Sequence, residues 1–376
     1  MLKKVLLVFK TPLLKCPRAR RLHLILGQKH ECQYLCAPEL DELESEDRYG
    51  VITKKIQSPF LRWVQQMALR FGILRLAEKI ESSKFVVPRV ADGEFDFIFV
   101  HDLYLFPHFS HYKKTKVIFD AREFYPLEMA ESPEWLATKG KLAQYTCEKY
   151  FPAAHQVVTV SPSLVSRYEK LIRRQIDYFP SCPRAALLAP QPGPTGLKYP
   201  IRFIHHGGVI RNRGLHRMVE LMKLLGDDYQ LDMMLVSAPG NKYYDELVQS
   251  VEGMNNARIL KPVHPDNIIE KCATYDCGLY IMEVNDSQNR YCLPNKFFEF
   301  IAAGLPVITS FSEDMKSIID EHKIGVAFND EPLEEIAEKI NAISLDDIKK
   351  YADNAKIVSR EFTLEKNIQR VFPELH

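Results

Sequence analysis

The sequence predicts an α/β protein of two parallel-sheet units, and three observations carry that expectation. Short, continuously apolar runs alternate with helical stretches through both halves of the chain. Six prolines (180, 183, 190, 192, 194 and 200) fall within residues 177–203 and interrupt that alternation near the middle. The two sides also differ in charge: residues 1–195 hold 29 Lys and Arg against 21 Asp and Glu, whereas residues 196–376 hold 21 against 28. Strands buried on both faces read as unbroken apolar runs, and their alternation with helices points to a parallel sheet covered on both sides. Proline at that density suits neither helix nor sheet interiors, so 177–203 reads as a linker. Opposite net charges suggest that the halves face different partners, or each other.

Taken in order, the first half offers strands at 4–9, 32–36, 95–100, 116–120 and 156–160. Helical patterns lie between them at 17–28, 59–81, 133–151 and 162–172. The second half runs strand 201–207, helix 213–225, strand 231–237, helix 243–253, strand 257–260 and helix 265–274. Strand 277–282, helix 295–303, strand 306–310, helix 313–321, strand 325–328 and two closing helices complete it. Two such units would leave a cleft at the carboxyl ends of their strands, where open α/β sheets bind ligands.

Composition narrows the function classes. The chain is 46% apolar and 26% charged, as soluble globular proteins are. No apolar run approaches the roughly eighteen residues of a spanning helix. The first apolar run, 5–9, is ended by Lys10 and reads as a buried strand rather than a signal peptide. Eight cysteines without a framework fit reduced thiols and a cytoplasmic protein. Cys32 and Cys36 lack a second pair at finger spacing, so no metal is expected. No cofactor or nucleic-acid partner is expected either.

The chemistry concentrates in two stretches. "YCLPNKFFEFIAAGLPVITS" (291–310) places Pro294 at a helix start, then Lys296, then Glu299 one turn on. The free N–H groups of Asn295, Lys296 and Phe297 and the positive dipole end make an anion site, to which Lys296 adds a full charge. Glu299 could accept two hydrogen bonds from a vicinal diol such as a ribose. Taken alone, Lys296 and Glu299 also fit a solvated pair on an exposed helix. "IRFIHHGGVIRNRGL" then sets Gly207 and Gly208 after a strand, with Arg211 and Arg213 before the next helix. Glycines admit close backbone approach and arginines suit a diphosphate. Neither a dinucleotide fingerprint nor a P-loop is present.

Together "HHGGVIRNRGL", "ILKPVHPDNI" and "LPNKFFEFIAAGLPVITS" resemble the nucleotide-binding half of the family-four GT-B glycosyltransferases. "FDFIFVHDLYLFP", "KVIFDAREFYP" and "HQVVTVSPSLV" resemble their acceptor-side half. The resemblance implies a GT-B fold: two Rossmann-like domains with a cleft between them and a C-terminal crossover helix. It implies an acceptor-side domain at 1–190, a nucleotide-sugar domain at 191–360, and a segment 361–376 packing back on the first. Glu299 then matches the ribose-binding glutamate and Arg213 the cation on the diphosphate. Asn295 and Lys296 match the phosphate-holding positions, and Val263 the loop that packs on the base. Gly207, Gly208 and Arg211 complete that set. Three features depart from the family pattern. Tyr291 stands where the first of two paired acids is usual, Arg122 where a histidine is common, and "KTPLLKCPRAR" replaces a glycine-rich acceptor loop.

Catalytic candidates are therefore His101, Arg122 and Glu283, with Asp286 as an alternative to Glu283 in the same loop. Acceptor-side candidates are Arg18, Asp102 and Glu123. Ser161 and Ser163 lack a nucleophile elbow, so an N-cap is the better reading. In 58–80, Phe60, Val64, Met67, Phe71 and Leu74 recur on one helical face, with Trp63 and Leu61 widening it and Arg62, Arg70 and Arg75 beside it. That is either a long core helix or an interfacial helix on an anionic membrane.

The expected activity is metal-independent, retaining transfer of a sugar from a nucleotide-diphosphate sugar, UDP foremost. The expected acceptor is a glycan or lipid-linked molecule of cell-surface polysaccharide synthesis, lipopolysaccharide or capsule, at the inner face of the cell membrane. A catalytically inactive nucleotide-sugar-binding partner subunit is the alternative. An epimerase lacks a clear pair of acids.

Overall fold

The computed structural model describes residues 2–38, 46–188, 196–283 and 287–376. The expected boundary at 190/191, the prolines 190, 192 and 194, and Asp286 lie outside the described residues. The chain divides into two compact units, Met1–Pro180 with Asn367–His376, and Ser181–Lys366.

The first unit is built on a parallel seven-stranded sheet. Its strand order is Arg48–Val51, Glu31–Cys36, Lys4–Val8, Phe97–Val100, Lys116–Ala121, Gln156–Thr159 and Asp177–Tyr178. Val5, Leu6, Leu7 and Val8 are all fully buried, which is why this strand reads as an unbroken apolar run. The order turns back between Lys4–Val8 and Phe97–Val100, where Val8 pairs with Val100. The two outermost strands escape the sequence pattern because they are short, only partly buried and paired on one side. A separate antiparallel pair, Thr53–Lys54 with Phe85–Val86, is also unforeseen.

The expected helix 59–81 is two helices, Pro59–Arg70 and Leu74–Ser82. Ser58 caps the first, accepting from Leu61 N at 3.2 Å. Gly72 ends it at φ +69°, with Gly72 N donating to Leu69 O and Ile73 N to Ala68 O, a Schellman stop that only a left-handed residue closes cheaply. The aromatic line is not a core face. Gln65, Ala68 and Leu69 are buried, whereas Phe60 is 69% exposed, Trp63 56% and Phe71 73%.

The second unit carries a parallel six-stranded sheet. Its order is Ala257–Leu260, Tyr229–Val236, Ile201–Gly208, Cys277–Tyr280, Val307–Ser310 and Gly325–Phe328. This is the doubly wound order whose ligands sit where it reverses, here between Ile201–Gly208 and Cys277–Tyr280. The helix Asn295–Ala302 packs hard on that junction: a Cβ at Gly278 would lie 2.4 Å from the Phe300 ring. Three helices close the chain where two are expected: Leu333–Asn341, Leu345–Ser359 and Leu364–Val371. Residues from Asn367 onward group with the first unit, where Phe372 meets Phe99 and Phe179 edge-on at 5.0 Å and Arg370 donates to Tyr178 O at 2.6 Å.

Candidate functional site

At the strand reversal of the second unit, backbone geometry opens a space that cations fill. Gly207 sits at φ +134°, and a Cβ there would come within 3.4 Å of Lys296 Nζ and 3.7 Å of the Arg213 guanidinium. A Cβ at Gly208 would also approach Arg213 at 3.7 Å. Gly214, at φ +67°, ends the Arg211–Arg213 turn and begins the helix Leu215–Leu225. A Cβ there would lie 2.3 Å from Ile281 O, so glycine lets this helix start abut the strand end.

Lys296 is 5% exposed and lies in the first turn of Asn295–Ala302. Its Nζ is 3.0 Å from His205 Nε2 and 4.1 Å from the Tyr280 ring centre. His205 Nδ1 contacts Leu279 O at 2.9 Å, and a carbonyl only accepts, so Nδ1 carries the proton and Nε2 accepts from Lys296. Among the described residues no carboxylate comes within ion-pair range of Lys296. Burial, then the neighbouring Arg213, hold its ammonium well below the ordinary lysine range. Burial and Lys296 likewise push His205 well below the histidine range. An exposed pair is thus excluded for Lys296 and Glu299, since Glu299 is only 4% exposed and lies 3.4 Å from His206 Nε2.

The helix start is narrower than expected. Phe297 N donates to Pro294 O at 3.1 Å, leaving Asn295 and Lys296 with N–H groups that have no acceptor within the helix. Arg213 is partly exposed and points to this space, but Arg211 does not join it. Arg211 pairs with Glu246 at 2.7 Å and stacks over Tyr243 at 4.3 Å. Glu283 lies 3.3 Å from His216 Nε2, whose Nδ1 meets the Tyr243 hydroxyl at 3.1 Å. Asn289 ties that loop down, donating to Glu283 O at 2.7 Å and Asn212 O at 2.9 Å. Val263 is half-buried in the loop after Ala257–Leu260.

In the first unit the corresponding strand ends hold a closed polar cluster. Arg18 grips Asp120 through two bonds of 2.6 and 2.8 Å, donates to Phe179 O at 2.7 Å and covers the Phe179 ring at 4.8 Å. It is buried and its guanidinium is spent on the protein itself, so it presents no open cation to an acceptor. Burial alone would push the Asp120 carboxyl up; Arg18 and His101 together outweigh it and hold it well below the usual carboxylate range. His101 Nδ1 lies 2.9 Å from Asp120, while its Nε2 has no partner among the described residues. Asp102 accepts from Lys10 N at 2.8 Å and meets Lys10 Nζ at 3.1 Å and Arg122 at 3.2 Å. Glu123 is exposed. Sequence reasoning missed the partners Tyr280, His216 and Lys10; it reads His205 and His206 as strand residues rather than ligands, and the structure sets both on Ile201–Gly208, beside Lys296 and Glu299.

A parallel sheet in each of two units, with a cation-lined strand reversal in the second, defines a chain of the GT-B fold, and in structure it resembles GT-B glycosyltransferases over its whole length. Residues 231–374 match the family model for the Glucosyltransferase 3-like C-terminal domain. By sequence alone, no curated protein matches the chain. A glycosyltransferase from Rickettsia africae aligns with TM-score 0.68 at 12% identity, over 100% of this chain and 98% of its own. HepE of Anabaena, solved with UDP-glucose, aligns with TM-score 0.68 at 13% identity, over 99% of each chain. WaaG, a glycosyltransferase involved in lipopolysaccharide biosynthesis, aligns with TM-score 0.66 at 12% identity, over 98% of this chain and 99% of its own.

Proposed function

We propose that the protein is a glycosyltransferase whose second unit holds a nucleotide-diphosphate sugar, with UDP as the nucleotide. The observation that carries this reading is the convergence of Lys296 and Arg213 on the space left by Gly207 and Gly208. Burial and Arg213 disfavour charging Lys296 in the free protein, and a bound diphosphate would offset the cost of the ammonium form. Glu299 would accept from the ribose hydroxyls, and the Asn295 and Lys296 N–H groups would donate to phosphate oxygens.

In the reaction, the bond from the anomeric carbon to the β-phosphate oxygen breaks and one from that carbon to an acceptor oxygen forms. The electron pair stays on the diphosphate, whose growing charge Lys296, Arg213 and the helix start stabilise; the acceptor hydroxyl's proton passes to the departing diphosphate oxygen. Fixed cations serve this role without a metal, so we propose metal-independent transfer. Retention at the anomeric carbon, a glycan or lipid-linked acceptor of cell-surface polysaccharide synthesis such as lipopolysaccharide or capsule, and peripheral attachment to the inner face of the membrane belong to the same proposal. Support for the membrane comes from the exposed aromatic helix and the positive first unit. His101, whose Nε2 has no partner among the described residues, and Glu283 are the groups we assign nearest the chemistry, and Glu123 is an exposed acceptor-side carboxylate.

A second reading, a partner subunit that binds nucleotide sugar without transferring it, is favoured by Arg122. It stands where the family has histidine and is engaged by Asp102. Incubation with radiolabelled UDP-sugars decides between them: release of UDP with product formation is expected, and tight binding without turnover would establish the second reading.

A further inference from the structure

The first unit contains a cavity of about 450 Å³ unconnected with the strand-end cluster. Lys54, Lys55, Arg62, Lys84 and Lys139 line it, with amides including Gln57 and, among the described residues, no carboxylate. Lys84 and Lys139 reach Glu81 at 2.7 and 2.5 Å, and Gln65 donates to the same Glu81 oxygen. Those two cations are therefore held in place. Lys54, Lys55 and Arg62 have no carboxylate within ion-pair range among the described residues. The excess of positive charge converges on a concave space, which is what a phosphate-bearing group requires.

Exposed apolar side chains lie in this basic hollow and on the helix that supplies Arg62 to it. Ile56, part of its lining, is 98% exposed. Phe60 and Trp63, on either side of Arg62, stack on each other at 6.1 Å and both face water. Phe71 and Ile73, on either side of Gly72, are exposed as well. A soluble acidic ligand would satisfy the cations yet leave these side chains in water. A bilayer surface satisfies both, since aromatic rings settle at the headgroup level and lysine and arginine heads meet phosphates.

We propose that this cavity binds the phosphate headgroup of an anionic membrane lipid while Ile56, Phe60, Trp63 and Phe71 enter the interface around it. The proposal rests on the membrane-attached reading above and adds a defined site to it. It replaces attraction spread over the whole positive unit by recognition at one hollow.

Flotation of the full chain with phosphatidylcholine vesicles, with and without phosphatidylglycerol, tests it. The cavity variant Lys54→Ser/Lys55→Ser is compared with Lys113→Ser/Lys114→Ser, an equal loss of charge at exposed positions outside the hollow. Wild type should float only with phosphatidylglycerol, at least tenfold better than the cavity variant, and the control should stay within about twofold of wild type. Trp63→Ser should weaken flotation at low and high salt alike. Equal loss in cavity variant and control would overturn the cavity while leaving membrane attachment intact. Absence of wild-type flotation under every condition would overturn attachment itself.

Discussion

Lys296 Nζ lies 3.0 Å from His205 Nε2, and the histidine's other nitrogen is fixed on Leu279 O. This places two bases side by side in a buried site, with neither in an ion pair with a carboxylate among the described residues. Burial depresses both, helped by Arg213 at Lys296 and by Lys296 at His205. The arrangement is poised for an anion.

A pH dependence follows. Between its depressed native value and the ordinary 10.5, Lys296 is protonated in the unfolded chain but not in the native one. Stability therefore rises with pH across that window. His205 acts in the same sense: below 6.5 the unfolded chain takes a proton that the native chain refuses. Thermal melts from pH 6 to 10 should show wild type gaining on Lys296→Met as pH rises. Parallel curves would mean that Lys296 keeps its ordinary charge.

Glu299 is expected to recognise ribose. Calorimetric titration of UDP into Glu299→Ala should show a loss of about tenfold or more, since a hydrogen bond to a charged group contributes roughly 1.5–3 kcal/mol. Unchanged affinity would remove the ribose assignment.

The Arg18–Asp120 pair should matter for stability. Removing one partner of a buried ion pair costs about 3–5 kcal/mol, so Arg18→Met should lower the first unit's melting temperature by roughly 6 °C or more. Asp120 is held below its unfolded value, so its contribution is present above about pH 4 and fades as pH falls through the native value. A variant that melts with wild type would show that the cluster does not hold the strand ends.

The alternation of strands and helices was legible because central strands such as 5–8 are buried on both faces and contain no polar residue. Edge strands such as Arg48–Val51 carry no such run, and their pairing is decided by tertiary contact alone. The break at Gly72 was visible as a residue but not as a stop, because its neighbours continue the helical pattern. At the site, Lys296, Arg213 and Glu299 could be read from position in loop and helix. The diversion of Arg211 to Glu246 could not: the two are thirty-five residues apart in sequence and meet only in three dimensions. Arg18 was misjudged for the same reason, since Asp120 lies on a distant strand.

Transfer activity should survive chelation. Among the described residues no group of His, Cys, Asp and Glu could hold a metal ion, and the diphosphate's charge falls to Arg213 and Lys296. Assays in excess EDTA should match untreated enzyme; loss restored by magnesium would show that a cation shares that work.

The central claim is that the diphosphate is bound by Arg213 beside Lys296. Arg213 is partly exposed, so replacing it should not disturb folding. The most direct measurement is titration of UDP and of uridine into wild type and Arg213→Met. UDP affinity should fall about tenfold or more while uridine affinity stays unchanged, a charged hydrogen bond being lost only for the diphosphate. Equal UDP affinity in both proteins would contradict the account.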